Sequence, residues 1–540
     1  MKALQKGISW FMFFLVFAVE FALGYYMAIC LGFIHSDALS RVANAFFVLY
    51  SRQPHLGAIG FIWNPLPSFL EVIVLTLYPI FKTLATHGLA GVIVSSFFAG
   101  LSAKLIYDAG THFKLSTFLK IVLVLLYCFN PFILLFGADG MSDIPFIYFI
   151  MYATVHFTIW LREYGPGSLI KCAFALALAF WVRYEAAMVG GAIAVCILLI
   201  MWNKRSNDQL TFKERYFKTE ASSIIALTPL AFSGILWVFF NYIIMGNPLY
   251  FLNSEYSNTA QSQTLAETSA QIQNVRSSLF TIMYYIGKKM AWFSAPYLTL
   301  IIIHLINGKL FSKDTIRATA LFLCIPSLQV LLLFKGSSMV FFRYFMYIFP
   351  LMVALMPYTL FRAAWKKLSA LLCIASLIVT GVMLSYALSK PNLAGDEYNV
   401  LLGFQRQGYY YQRQVDDRAI SAWIDEHLPN NSIITDSSSS YGFILSSSNP
   451  KKYIINSDNA LFNAFLDNPS PDTAEYALVP NNLLSNNLPS KLNDKYFKLY
   501  NEGMPWAELY HDFNNEWRLY KIIKPQNVES SQQKNFHDQQ

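Results

Sequence analysis

The chain has 540 residues, of which 55% are apolar, 16% aromatic and 13% charged, with a formal net charge of +8. Soluble domains carry about twice that charged fraction, and the apolar residues here fall in long blocks, which argues against a soluble enzyme and for a polytopic membrane protein. The modest positive charge fits cytoplasmic loops, and no basic patch with interleaved aromatics lies outside the apolar segments, so no nucleic-acid partner is expected.

The N-terminus has Lys2 and Lys6 ahead of an apolar stretch of transmembrane length, which reads as an uncleaved first span with its start in the cytoplasm. Twelve apolar segments follow one another, at roughly 9–33, 66–82, 88–107, 117–136, 144–161, 168–182, 186–202, 221–245, 290–307, 318–335, 340–360 and 368–388. Loop charge tests which of them cross. The basic loops 203–218, 307–317 and 362–367 belong inside, and they all land inside only if one early segment does not span. Segment 66–82 begins with prolines and carries Glu71, so it is the one expected to be interfacial or re-entrant. About eleven spans result, with the N-terminus in and the C-terminus out. The short pair 168–182 and 186–202 has a second reading, as one re-entrant hairpin, which leaves the later parity unchanged.

This topology places the loops 34–87 and 246–288 and the C-terminal region outside. Within the first loop, Leu39, Val42, Phe46, Leu49 and Tyr50 recur at near-helical spacing, and the spacing predicts a helix lying flat on the membrane surface. The expected divisions are a membrane domain 1–389, a linker 390–411, a small extracytoplasmic α/β domain 412–525 and a disordered tail 526–540. In the α/β domain, RAISAWIDEHLPNNS reads as a helix, and SIITD, KYIIN, YALVP and WRLYKII read as strands. The six cysteines all lie in or beside apolar runs and form neither a disulfide framework nor a CxxC metal site.

Three acidic residues fall where spans meet the outer face: Asp37, Asp143 and Glu185. Each has a purely structural explanation. Asp37 and Asp143 can cap the helices that follow them, and Glu185 can pair with Arg183. Their convergence on one membrane surface is the argument for function, because carboxylates near hydrocarbon are costly. Arg41, Arg183, Lys335 and Arg343 also sit at outer ends, against the usual bias. Arg343 lies inside the start of an apolar run, where a lipid phosphate would explain it, as would snorkelling of its side chain. His35 and His55, twenty residues apart in a loop, make weak metal ligands.

HSDALSR, WNPLPSF, NPFILLFGADGMSD, FWVRYEA and FFRYFMYIFP, in this order, together resemble the GT-C superfamily of membrane glycosyltransferases, which includes the dolichyl-phosphate-mannose protein mannosyltransferases and the lipid A aminoarabinose transferase. The resemblance covers the chain to about residue 360. It implies a helical membrane domain with juxtamembrane helices in the first outer loop, and a polyprenyl-phosphate sugar as donor. By the same resemblance Asp37 is the first-loop catalytic carboxylate, Asp143 the second acidic position, and Arg343, with Tyr344 beside it, the late-span position near the donor phosphate. The chain departs from the pattern at Ala38, where many members have a second acid, and in WNPLPSF, which lacks a lysine after the prolines.

The expected reaction is inverting transfer of a sugar to a glycan, lipid or protein acceptor, at the outer side of the plasma (inner) membrane and in contact with membrane lipid. Asp37 is expected to act as base, with Arg343 and Arg183 on the phosphate. A divalent metal is the other way to neutralise that phosphate, although no ligand set is evident. The competing reading is a secondary transporter or flippase, which predicts related halves and mid-membrane charges; no internal repeat is visible.

Overall fold

The computed structural model describes residues 2–199, 211–268, 270–338, 341–481 and 490–524. The tail 526–540 and the first half of the basic loop 203–218 lie outside the described residues. The chain forms two compact units, one of Met1–Ala45 with Ile59–Gln414, the other of Phe46–Ala58 with Val415–Gln540.

The first unit is helical and is built for a membrane. Among the described residues seven helices are long and apolar enough to cross, and two bent pairs raise that to nine. The seven are Ala3–Leu31, Leu89–His112, Asp143–Glu163, Phe212–Met245, Lys313–Lys335, Phe342–Arg362 and Lys366–Leu388. Phe342–Arg362 and Asp143–Glu163 are mostly buried within the bundle, whereas Phe212–Met245 turns Ile235, Phe239 and Ile243 outward. Such an apolar outer surface is what a lipid environment tolerates and water does not. This is a multi-pass membrane protein.

The expected count of about eleven exceeds what length and composition give. The difference lies in helices Pro166–Val182 and Ala186–Leu198, of 17 and 13 residues, which fall short of a full span. Segment 66–82 forms a helix only over Leu66–Leu75, too short to cross. The segments 117–136 and 290–307 are broken rather than straight, bent by 66° ahead of Pro131 and by 78° ahead of Ala295. At the first break Asn130 caps the second half through its side chain, accepting from the Phe132 amide at 3.1 Å, with Pro131 in the first turn.

The helix expected in the first outer loop is present as Ser36–Tyr50, but its apolar face is not laid on a bilayer. Leu39 and Val42 are buried in protein, where a Cβ added at Gly88 or Gly91 would touch them. Packing against the start of helix Leu89–His112 satisfies the same periodicity that a membrane surface would. The segment 390–411, read as a linker, instead carries helix Gly395–Gly403 and the start of helix Tyr409–His427, and through Gln414 it belongs to the first unit.

The second unit is a mixed sheet with helices. Strands β1 (Ile433–Ile434), β2 (Tyr453–Ile454), β3 (Tyr476–Pro480), β4 (Ala507–Phe513) and β5 (Trp517–Ile522) stand in the order β2-β1-β3-β5-β4. The first three are parallel; β5 joins β3 and β4 antiparallel. Ile434, Ile454, Val479, Phe465, Trp506 and Tyr520 fill its core. β4 was not expected: AELYHDF lacks a strict apolar alternation, and it stands at the sheet edge, where only one side pairs.

Candidate active site

The first span ends on Gly32, whose φ of 80° is the left-handed conformation that glycine adopts without strain. The chain therefore turns at once into helix Ser36–Tyr50, and Asp37 lies in its first turn. Gln414 fixes the bend between them: its side-chain amide donates to the Ile34 carbonyl at 2.7 Å and accepts from the Ile34 amide at 3.2 Å.

Asp37 does not spend its carboxylate on capping. Its Oδ2 accepts from Arg343 Nη2 at 2.6 Å. Arg343 sits in the short 3-10 turn Phe342–Phe345 that opens a late span, and it is 4% exposed. Its Nη1 bonds Asp396 and lies 2.9 Å from His35 Nε2. His35 Nδ1 accepts the Asp37 backbone amide at 3.1 Å, and its Nε2 is 3.2 Å from Asp396 Oδ2. Tyr410 donates its hydroxyl to the other Asp396 oxygen and packs its ring 4.6 Å from that of His35.

One buried cation is thus held between two carboxylates, with an imidazole and a phenol closing the group. Burial works against the Asp396 carboxylate, but Arg343 and His35 outweigh it and hold its pKa below the ordinary carboxylate range. Burial also opposes charge on His35, yet Asp396 and Asp37 raise its pKa above the usual value in spite of Arg343.

A second group stands on the same stretch of chain. Tyr347, one turn beyond Arg343, donates to Asp143 Oδ1 at 2.5 Å. Arg183 Nη1 reaches the same oxygen at 3.4 Å, while its Nε and Nη2 take Glu185 Oε1 at 3.2 and 2.9 Å. The Arg183 guanidinium lies 5.8 Å from the Tyr344 ring and 5.4 Å from the Tyr347 ring. Arg183 can do this because the chain is extended there, between helices Pro166–Val182 and Ala186–Leu198. The second oxygen of Asp143 is buried without a hydrogen-bond partner among the described residues.

Arg41, one turn along from Asp37, places its guanidinium 4.7 Å over Trp63 and donates to the Asn64 carbonyl at 3.3 Å. Asn64 in turn donates to the Phe180 carbonyl at 2.6 Å, which ties the WNPLPSF segment to the helix leading into Arg183. The structure therefore brings together Asp37, Arg343, Asp143, Arg183, Glu185, Tyr344 and Arg41. Lys335 does not join them; it is exposed at the end of its helix. The sequence does not single out Asp396 and Tyr410, and it offers His35 only as a weak metal ligand. His55 belongs to the second unit, is exposed, and contacts the Gln53 carbonyl at 2.7 Å. Among the described residues no three His, Cys, Asp or Glu side chains group as metal ligands.

The chain is similar to the crystal structure of ArnT from Cupriavidus metallidurans in the apo state, with a TM-score of 0.53 and 12% identity, covering 95% of this chain and 98% of that one. The chain has a GT-C fold. The archaeal oligosaccharyltransferase AglB from Archaeoglobus fulgidus, in complex with an inhibitory peptide and a dolichol-phosphate, is a more distant neighbour. Its TM-score is 0.41 with 10% identity, over 96% of this chain and 74% of that one. No protein-family model matches the chain, and no curated protein does. In this fold the cluster of acids and arginines lies at one end of the bundle, at the first residues of spans Phe342–Arg362 and Asp143–Glu163.

Proposed function

We propose that the chain is a membrane glycosyltransferase that moves a sugar from a polyprenyl-phosphate donor to an acceptor hydroxyl on a glycan, lipid or protein. The observation that carries this reading is the pair Asp37–Arg343: a part-exposed carboxylate and a buried guanidinium, from the first loop and a late span, at 2.6 Å. Transfer from a lipid phosphate needs both kinds of group, a base for the acceptor and positive charge for the departing phosphate.

In this reaction Asp37 takes the proton of the acceptor hydroxyl as that oxygen bonds to the anomeric carbon. The bond from that carbon to the phosphate oxygen breaks, and polyprenyl phosphate leaves with the electron pair. Arg343, supported by Arg183, stabilises the charge on the phosphate. Direct displacement inverts the anomeric centre. Asp143 holds Arg183 and Tyr347 in place. The outer face of the plasma membrane is the location that this donor and the loop charges favour.

The test is sugar transfer in liposomes from a panel of polyprenyl-phosphate sugars, with wild type and Asp37→Asn. Lipid-dependent transfer by wild type that is lost in the variant supports the assignment. Absence of turnover and of donor binding with every member of the panel, in folded wild type, would reject it in favour of transport.

A further inference from the structure

A second charged site stands at the opposite end of the same helices. Arg162 lies in the last turn of the span that begins at Asp143, Arg362 ends the span that begins at Phe342, and Lys313 begins the span that packs beside it. Together with Asp314, Arg317 and Tyr358 they line a cavity of about 360 Å³. Nineteen positions separate Arg343 from Arg362, about 28 Å along a helix.

Cations outnumber carboxylates among the described residues of this cavity. Among the described residues lining it there are four cations and one carboxylate, Asp314. Asp314 is already taken by Arg317 Nη1 at 2.8 Å, by Arg362 Nη1 and by the Tyr358 hydroxyl at 3.4 Å. Arg162 donates to the His112 carbonyl at 3.2 Å and lies 4.4 Å over the Phe361 ring. Its neighbour Glu163 is turned away, 3.0 Å from His112. Arg317 is 8% exposed, and its Nε is buried with no hydrogen-bond partner among the described residues. A buried guanidinium with an unsatisfied N–H beside further cations is costly unless an anion completes it. The planar fork of arginine suits phosphate oxygens.

We propose that this cavity binds a phosphate group, carried either by an anionic lipid headgroup in the adjacent leaflet or by phosphate in solution. Basic residues at span ends mark the cytoplasmic side, where anionic lipid is abundant. The site is separate from sugar transfer, and its test does not depend on that activity.

Full-length protein freed of lipid in neutral detergent is titrated with phosphatidylglycerol, phosphatidylcholine and inorganic phosphate. Bound ligand is counted by native mass spectrometry, and Tm is followed alongside. Wild type is expected to retain phosphatidylglycerol in preference to phosphatidylcholine, with binding at least tenfold weaker in Arg162→Gln/Arg317→Gln. Lys313→Gln, half-exposed at a helix start, repeats the test should the double variant fold poorly. Stabilisation by inorganic phosphate that is lost in the same variants, with no preference between the lipids, assigns the cavity to soluble phosphate. Equal binding of all three ligands by wild type and a folded variant, or no binding by wild type, overturns the proposal.

Discussion

Asp396 holds Nη1 of Arg343, the guanidinium whose Nη2 is bound to Asp37. The three residues come from the loop after the first span, a late span and the helix after the last span, so the pairing closes the ends of the membrane unit on one another. Arg343→Gln takes the guanidinium from two carboxylates, one of them Asp396 at 10% side-chain exposure, and leaves His35 as the remaining basic partner of Asp396. Breaking a buried pair from one side costs about 3–5 kcal/mol, so Tm should fall sharply. Arg343→Gln/Asp396→Asn should recover part of the loss. A double variant no more stable than the single would show that the pair is not coupled in this way.

Asp396→Asn keeps the shape of the group and removes one charge. Arg343 then keeps Asp37 but loses the contact that orients its Nη1 edge. Transfer should fall about tenfold, less than in Asp37→Asn, where loss of a general base costs about 10²–10⁴. The effect should appear mainly in the donor KM, which kinetics at varied donor concentration would reveal. A drop as deep as that of Asp37→Asn would give Asp396 a larger part in the reaction than orientation.

Glu397, next in sequence, is 1% exposed, and among the described residues neither carboxylate oxygen has a hydrogen-bond partner. Burial, and then the Asp396 charge, push its pKa up from 4.5 to about 7. The folded state therefore keeps a proton that the unfolded chain has released. Stability is highest below pH 4.5 as far as this group is concerned, falls as pH rises towards 7, and is lower by about 3 kcal/mol above it. Glu397→Gln removes the titration, so its Tm gain over wild type should be larger at pH 8 than at pH 5. An equal gain at both values would contradict the assignment.

Gly24 lies where the first span crosses the helix ahead of Asp139. An added Cβ would stand 2.2 Å from the Ala138 carbonyl oxygen and 2.4 Å from a Val92 methyl. The backbone atom cannot rotate aside, so Gly24→Ala must push the helices apart. Overpacking of this kind costs about 1–3 kcal/mol, measurable as a lower Tm. Gly7, where nothing lies within 4 Å, is the control and should accept alanine without loss.

The charged residues that stood out in the sequence did so by contrast. Asp37, Asp143, Arg183 and Arg343 interrupt apolar surroundings, and a charge beside hydrocarbon is legible without a structure. Asp396 has no such contrast: it sits in AGDEYN, a polar stretch after the last span, where an acid is unremarked and the segment reads as a linker. Lys335 met the same criterion as Arg343 and points elsewhere, because the end of a span fixes depth in the membrane but not direction around the helix axis. The first-loop helix was found by its period, yet the period does not say whether the apolar face meets lipid or protein. Strand β4 failed for the opposite reason, its edge position leaving it no apolar alternation to read.

The double engagement of Arg343 sets terms for any phosphate that uses it. Nη2 is engaged by Asp37 while Nε is buried and, among the described residues, unpartnered, so an anion that takes the Nε–Nη2 edge meets Asp37, the more exposed partner at 39% side-chain exposure against 10% for Asp396. On the proposed reaction, the resting enzyme keeps its base quenched by a cation, and donor arrival releases it. Acceptor activation is thereby tied to an occupied donor site, which guards against a free base where no sugar is at hand.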